Sequence, residues 1–544
     1  MQNQTQETVT LLLENKRFKI DKKKLIKESR YFATLLSKSY ADHRLSEHFI
    51  NYEIPLISFQ DFIKWINSDK HNTIKLNFER NDLGRLLTLL ELSVLFAVDN
   101  LIESITEILE KYHLLPQDVL NIWLLAQELG VKTLQDLCLA VCLDRFTELP
   151  RNLIFKLSRQ NFLRLVGNSN LRVPDESELY LNPVVTEWMQ INRDTIPLDI
   201  LKKTGPKVYS SIICYGSNSS VNNECYIHCW DGDKLFELTT FKYPEAIINN
   251  NTITGMQITP RGHHLYLSGG EFGIGTGRFN THVWRYSLIT KRWFLETIMP
   301  CARRHMIAAF LQNKLLLAGG VGHFRCKLRS LDIYNVHKGT WVKGAVLPME
   351  FVSIPAYYAF DKKLIIYIHN IKAGVLPFVH IYFCDSDEWY TMPLIIDYDL
   401  RLDMCELFET MPIKFKTALC YIDNNKPNRI NLRSIIITCD NLEYRQEICK
   451  KINISSDQDV SRVYFYLILS HTDLYENNVL ICLKNNKCIL LCLGAKKERL
   501  PWHSIPIQNR DKFYSLLHSD TIFFNLMDPA NLHVMSVTNL ECTT

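Results

Sequence analysis

At 544 residues the chain is too long for one hydrophobic core, and 47% apolar with 22% charged residues is the composition of folded domains rather than of a disordered polymer. A net charge of +4 over that length excludes nucleic acid or a membrane surface as the expected partner, and no apolar run reaches the roughly 18–20 residues of a spanning helix. Met1-Gln-Asn-Gln-Thr-Gln-Glu7 lacks the basic and apolar regions of a secretory signal, so the sixteen cysteines read as reduced thiols of a cytoplasmic protein, with nuclear or cytoskeletal association left open.

In chain order, residues 8–14 are β-branched and apolar, and 18–20 follow after a short polar turn, which predicts a hairpin. The stretch 25–36 predicts one helix whose apolar positions are mostly Leu25, Tyr31, Phe32, Leu35 and Leu36. Residues 48–55 and 73–76 read as strands, 59–66 as a helix, and 83–109 as two more helices. The cations around the hairpin (Lys16, Arg17, Lys19, Lys22, Lys23, Lys24 and Lys27) read as a solvated helix start rather than an anion site. Pro116 opens a run of helices through residue 200, in which Trp123 and Trp188 are expected as core anchors. Pro197, Gly205 and Pro206 mark a hinge over 192–207.

After the hinge the pattern changes to strands. Residues 211–216 and Trp230 read as a degenerate first unit. Then a Tyr and a Trp recur seven residues apart three times (Tyr286/Trp293, Tyr334/Trp341, Tyr382/Trp389), each pair 48 residues after the last. The first two pairs are preceded by an apolar run closed by two glycines, Leu265-Tyr-Leu-Ser-Gly269-Gly270 and Leu315-Leu-Leu-Ala-Gly319-Gly320. Such a period marks an array or a propeller of small sheets. In the third copy residues 363–369 occupy the strand and the glycines are gone, so that turn must be built differently. Beyond 395 the register fails. Residues 433–440, 479–483, 489–493 and 521–526 still read as strands, 533–537 remain beyond them, Trp502 belongs to a late unit, and 423–428 read as a long loop.

No catalytic residue emerges. There is no Gly-x-x-x-x-Gly-Lys, Gly-x-Ser-x-Gly or His-Glu-x-x-His. The Gly-x-Gly-x-Gly of 271–277 precedes a strand, whereas a dinucleotide site needs a helix there. Cys225/Cys229 and Cys488/Cys492 are four apart in strand-like runs, so each pair shares a face, as small buried apolar residues do. Without a Cys-x-x-Cys pair they offer no zinc framework, and neither metal nor cofactor is expected.

The di-glycine runs with their Tyr and Trp resemble the Kelch repeat. Phe18, Ile20, Asp21, Leu25, Ser29, Tyr31 and Phe32 fall at the places of the helix-entry motif of the BTB/POZ fold, with Ile20 for the usual Ala and Asp21 for the usual His. Residues 118–126 with Leu129, Gly130, Phe146 and Leu149, and later Leu157, Phe162, Leu165, Val184 and Trp188, resemble a BACK domain. In that order the chain resembles the Kelch-like family of substrate adaptors for cullin-3 ubiquitin ligases. The resemblance implies a multidomain, non-catalytic protein: an α/β BTB/POZ domain (1–113), an all-α BACK domain (114–200) and an all-β Kelch propeller (208–544). Six blades closed by a C-terminal strand are expected, with seven the alternative.

The same resemblance implies the sites. The family's cullin-docking motif, a hydrophobic residue, any residue, then Glu, falls on Tyr40 and Asp42 just after Leu36, with Asp one methylene shorter than Glu. Arg303, Arg304 and His305 fall at a blade entry where such adaptors hold acidic substrate peptides. The local alternative is an arginine that closes a blade turn by hydrogen bonding. The implied partners are cullin-3 and a protein substrate that the sequence does not name, while a cytoskeletal, actin-associated scaffold without a ligase is the second reading. The helix and strand exchanged between protomers of related BTB domains have no room ahead of the first strand, which leaves a homodimer open.

Overall fold

The computed structural model describes residues 7–40, 45–68, 83–168, 170–172, 177–196, 208–215, 224–230, 235–248, 253–355, 357–360, 362–368 and 378–393, together with the strand segments 407–409, 416–423, 431–438, 444–447, 463–471, 474–483, 488–492, 503–504 and 521–527. Two compact units divide the chain between residues 203 and 204.

In the first unit β1 (Thr8–Leu13) and β2 (Lys16–Asp21) form the hairpin. β1 buries Val9, Leu11, Leu12 and Leu13, whereas β2 shows Lys16, Arg17 and Lys19 to solvent. Charges along that outer strand discourage the addition of another strand. The predicted helix over 25–36 is in fact two: α1 (Lys22–Glu28) and α2 (Arg30–Leu35). Ser29 breaks it, with φ −116° and ψ 117°. Its N–H donates to Leu25 O at 3.0 Å, ending α1, while its Oγ accepts from Phe32 N at 3.1 Å, starting α2. The same Oγ donates to Phe96 O at 2.6 Å. A serine that finds such partners competes with the helix for its own backbone.

β3 (Glu47–Phe49) lies parallel to β1 and is only three residues long, shorter than the strand expected over 48–55. Pro55 lacks an N–H for strand pairing and stands at the N-cap of α3 (Leu56–Asn67). The strand expected at 73–76 lies outside the described residues. α4 (Leu83–Leu95) and α5 (Asp99–Tyr112) follow as expected. Pro116 occupies the first turn of α6 (Pro116–Glu128), where its missing N–H costs nothing. The helices α7 (Lys132–Asp144), α8 (Arg151–Ile154), α9 (Arg159–Val166) and α10 (Ser177–Asn192) complete the unit. Trp123 and Trp188 are both buried. Trp188 stacks on Phe162 with 4.5 Å between ring centroids and donates its Nε1–H to Leu157 O at 3.2 Å.

The second unit is a succession of antiparallel sheets. β4 (Val208–Tyr215), β5 (Glu224–Trp230) and β6 (Leu235–Lys242) pair in order. Next come β7 (Ile253–Thr254), β8 (Gln257–Arg261), β9 (His264–Ser268), β10 (Glu271–Phe272), β11 (His282–Ser287) and β12 (Arg292–Ile298). Of these, β8-β9-β11-β12 make a four-stranded sheet, and β7 with β10 a small ribbon. Three more four-stranded sheets follow: β13 (Ile307–Leu311), β14 (Lys314–Ala318), β15 (Leu331–Asn335) and β16 (Thr340–Gly344); β17 (Tyr357–Phe360), β18 (Lys363–Ile368), β19 (Phe378–Phe383) and β20 (Glu388–Pro393); β21 (Leu407–Glu409), β22 (Lys416–Asp423), β23 (Asn431–Thr438) and β24 (Tyr444–Glu447). β25 (Val463–His471), β26 (Leu474–Leu483), β27 (Cys488–Cys492) and β28 (His503–Ser504) pair in order, and β29 (Thr521–Met527) pairs along β4. Of the loop expected at 423–428, Asp423 ends β22 and the rest lies outside the described residues, as do residues 533–537 and the turn that replaces the third di-glycine.

The 48-residue period has a direct cause. Tyr286, Tyr334 and Tyr382 each face their Trp across a strand pair, with ring centroids 5.0, 5.0 and 5.1 Å apart. Each Trp then reaches the preceding sheet: Trp293 Nε1 donates to Lys242 O at 2.7 Å, Trp341 Nε1 to Thr297 Oγ1 at 3.0 Å, and Trp389 Nε1 to Ala345 O at 3.2 Å. The di-glycines are needed for close approach. A Cβ on Gly269 (φ +66°) would meet Arg303 O at 2.7 Å, and one on Gly320 (φ +90°) would meet Arg304 O at 2.6 Å. Cys225 and Cys229 are buried on one face of β5, as their spacing predicts.

Candidate functional site

In the first unit the segment after α2 separates two of the residues singled out by sequence. Leu36 is buried at the C-cap of α2 and donates its N–H to Phe32 O at 2.9 Å, so it belongs to the core. Tyr40 is half exposed on a turn closed by its N–H on Ser37 O at 3.1 Å. Asp42 lies outside the described residues. Sequence reasoning missed the apolar side chains that follow Tyr40 along the surface: Leu45, Phe49, Tyr52 and Ile57 are all exposed, Phe49 by 72%. A three-residue strand that turns His48 inward and Phe49 outward carries too short an alternation to be read in advance.

In the second unit three connections meet at one end of adjacent sheets: 269–281 between β9 and β11, 299–306 between β12 and β13, and 319–330 between β14 and β15. Gly270 N donates to Arg303 O at 2.9 Å, and Arg304 and Val321 exchange both backbone bonds at 2.9 Å. The rings of Phe279 and His323 meet edge to face at 4.7 Å.

Arg303 does not face a ligand. Its side chain is fully buried and ion-paired with Asp332, itself buried on β15. Its Nη1 donates to Leu317 O at 3.1 Å and to Gly319 O and Ser330 O at 3.2 Å, and Nη2 donates to Ser330 Oγ at 3.0 Å. This is the local alternative: Arg303 ties β14 to β15, and it is withdrawn from the substrate-binding set. Arg304 points the other way, with Nε 2.9 Å from Glu271 Oε2, a close ion pair rather than an aligned hydrogen bond. His305 has φ +52° and donates its backbone N–H to Gly255 O at 2.8 Å, pinning the same connection.

Around these anchors the three connections carry Arg278, Arg303, Arg304, Arg325, Lys327 and Arg329 against one carboxylate, Glu271. Ile274 and Phe324 stand exposed among them, Phe324 completely. The tip holding Phe324 is locked by Gly322 N on Cys326 O at 2.8 Å and by left-handed backbone at Phe324 (φ 54°) and Arg325 (φ 58°). Sequence reasoning passed over Phe324 because an isolated aromatic in a loop carries no periodic signal.

Residues 1–113 match the family model of the BTB/POZ domain, and residues 119–203 match that of BACK, described as BTB And C-terminal Kelch. The chain has the BTB–BACK architecture of Kelch-like proteins. A BTB–BACK pair is a protein–protein interaction module of adaptor type, and the strand-rich second unit follows it directly. No curated protein matches the chain.

Within the second unit, the single carboxylate of the basic loops sets a pH dependence. Burial pushes the pKa of Glu271 up, but N–H groups of Gly277 and Gly275 and the charges of Arg304 and Arg325 outweigh it and hold the carboxyl below its ordinary value. Its native value being depressed, its stabilising contribution is complete above the ordinary carboxylate range and is lost as pH falls through the lowered native value. Glu271→Gln is therefore expected to flatten the acid limb of a melting-temperature profile while changing little of its alkaline limb. An acid limb identical to that of the native protein would refute this role.

Proposed function

We propose that the protein recruits a protein substrate to a cullin-3 ubiquitin ligase. The BTB domain docks the cullin around Tyr40 and the exposed apolar residues that follow it, and the BACK helices extend that dock. The second unit is read as a six-bladed propeller whose basic end, with Arg325, Lys327 and Phe324 at its tips, captures an acidic segment of the substrate. The adaptor performs no chemistry; it raises the effective concentration of substrate lysines near the ligase.

The observation that carries this reading is a BTB domain followed at once by a BACK domain, ahead of successive four-stranded antiparallel sheets. Six blades are supported by the pairing of β29 along β4, which joins the end of the strand region to its beginning; β25 also meets β4, at His471 and Tyr209, so the first and last groups of strands are linked in one sheet. Closure of that kind removes exposed sheet edges.

Calorimetric titration of the full-length protein with the N-terminal region of cullin-3 tests the reading. Saturable binding is expected, and Tyr40→Ala should weaken it by ~2 kcal/mol, about thirtyfold, as truncation of an exposed aromatic anchor does. Absence of binding by folded protein would sink the ligase reading and leave the cytoskeletal scaffold in its place.

A further inference from the structure

The three copies of the Tyr/Trp pair differ in how the tyrosine hydroxyl is satisfied. Tyr334 Oη donates to Glu296 Oε1 at 3.2 Å, a carboxylate on β12 of the preceding sheet. Tyr382 Oη donates to Asp387 Oδ1 at 2.8 Å, in the turn of its own hairpin. Among the described residues Tyr286 Oη has no such carboxylate, and burial alone moves its titration.

The repeat explains why. Trp341 bonds Thr297 and Trp293 bonds Lys242, so those two residues hold one position in the repeat. One residue earlier stands Glu296 in the first case and Phe241 in the second, and the Phe241 ring lies 5.2 Å from that of Tyr286. Two residues before Trp389 stands Asp387, and two before Trp293 stands Lys291; both turns need left-handed backbone there, φ 54° and 56°. Both places that supply a carboxylate in the later copies therefore hold an aromatic ring and a cation in this one.

Space opens where the carboxylate would be. A cavity of about 320 Å³ is lined by Thr240, Phe241, Lys242, Tyr286, Lys291 and Trp293. Burial pushes the Tyr286 hydroxyl up to about 12, so it remains a neutral donor at physiological pH. Lys291 is exposed at the rim. A buried hydroxyl donor, a cation and aromatic walls together complement an anion with a short apolar stem; donation to a charged acceptor is the stronger kind of hydrogen bond. The turn 288–291 closes the end of the sheet away from the connection 269–281, because β11 runs from one to the other. The cavity is thus separate from the basic loops and does not depend on the role proposed for them.

We propose that this cavity binds an external carboxylate in the place that Glu296 and Asp387 fill in the next two copies. The group is a carboxylate on a short apolar stem, supplied either by an acidic side chain of a bound protein segment or by a free aliphatic acid.

Ligand-observed NMR titration of the full-length protein tests it with three probes: N-acetylglutamate α-methylamide, its glutamine counterpart and isovalerate. Saturable binding of at least one acid is expected, with none of the glutamine compound. The glutamate derivative stands for a protein side chain and isovalerate for a free acid, so the preferred one names the source. Tyr286→Phe and Lys291→Asp should each weaken binding about tenfold or more, the loss expected for a hydrogen bond or charge contact to an ionised group. Lys291→Asp should also raise the melting temperature, because it returns to the hairpin the carboxylate present at Asp387. No saturation by either acid, equal binding of the glutamine compound, or unchanged affinity in both variants would overturn the site.

Discussion

Arg303→Met is expected to destabilise the second unit by about 3–5 kcal/mol, the cost of stranding one partner of a buried ion pair. The side chain is fully buried, and it is the partner of Asp332 as well as the donor to four carbonyl groups and Ser330 Oγ. Removing the guanidinium leaves Asp332 charged, buried and short of donors. A second change, Asp332→Leu, should recover part of the loss, since a pair replaced by packed apolar groups is far cheaper than half a pair. Denaturant unfolding of the two variants reads both effects. An Arg303 that served as a substrate ligand would instead give normal unfolding with lost substrate binding, and that result would make it a binding residue rather than a structural one.

The two neighbouring arginines show what was legible in the sequence and what was not. The strands of the periodic region could be read because each copy solves the same local problem: a Tyr and a Trp paired across one hairpin, with the Trp bonded to the sheet before it. That constraint repeats at fixed spacing, so it survives in one dimension. The direction of a side chain in the connection 299–306 does not. Arg303 turns inward because Leu317, Gly319, Ser330 and Asp332 converge on it from fourteen to twenty-nine residues away, and Arg304 turns toward Glu271 on another connection. Adjacent identical letters therefore fall to opposite roles.

In the first unit the same limit appears at Ser29. The apolar spacing of Leu25, Phe32 and Leu36 continues across it as in one helix, and only the approach of Phe96 O, sixty-seven residues on, gives its hydroxyl a reason to break the backbone ladder. On the BTB surface the exposure of Phe49 was not legible at all: it is the most exposed of the apolar residues that follow Tyr40 along the segment, yet follows no pattern of its own.

Phe96→Ala is expected to destabilise the first unit by about 3–5 kcal/mol, the cost of deleting a fully buried phenyl ring. Phe96 is 0% exposed. Its ring centroid lies 5.1 Å from those of Phe32 and Phe62, 5.4 Å from that of Tyr31, and 6.3 and 6.4 Å from those of Tyr52 and Phe59. It thus joins α2, α3 and the segment after β3 into one aromatic core. The substitution keeps the carbonyl that accepts from Ser29 Oγ, so the loss reports packing and not the helix break. Hydrogen exchange localises it: protection over residues 83–112 should fall. Ser29→Ala makes the complementary test, because it removes the cap of α2 and leaves Phe96 O without that donor, at about 1–3 kcal/mol for a buried group left unsatisfied. If Phe96→Ala leaves exchange over those residues unchanged, the aromatic core does not hold the BTB domain together. If it abolishes the proposed cullin binding together with protection while Ser29→Ala weakens both in proportion to its smaller cost, the exposed side chains after Tyr40 depend on this core for their placement.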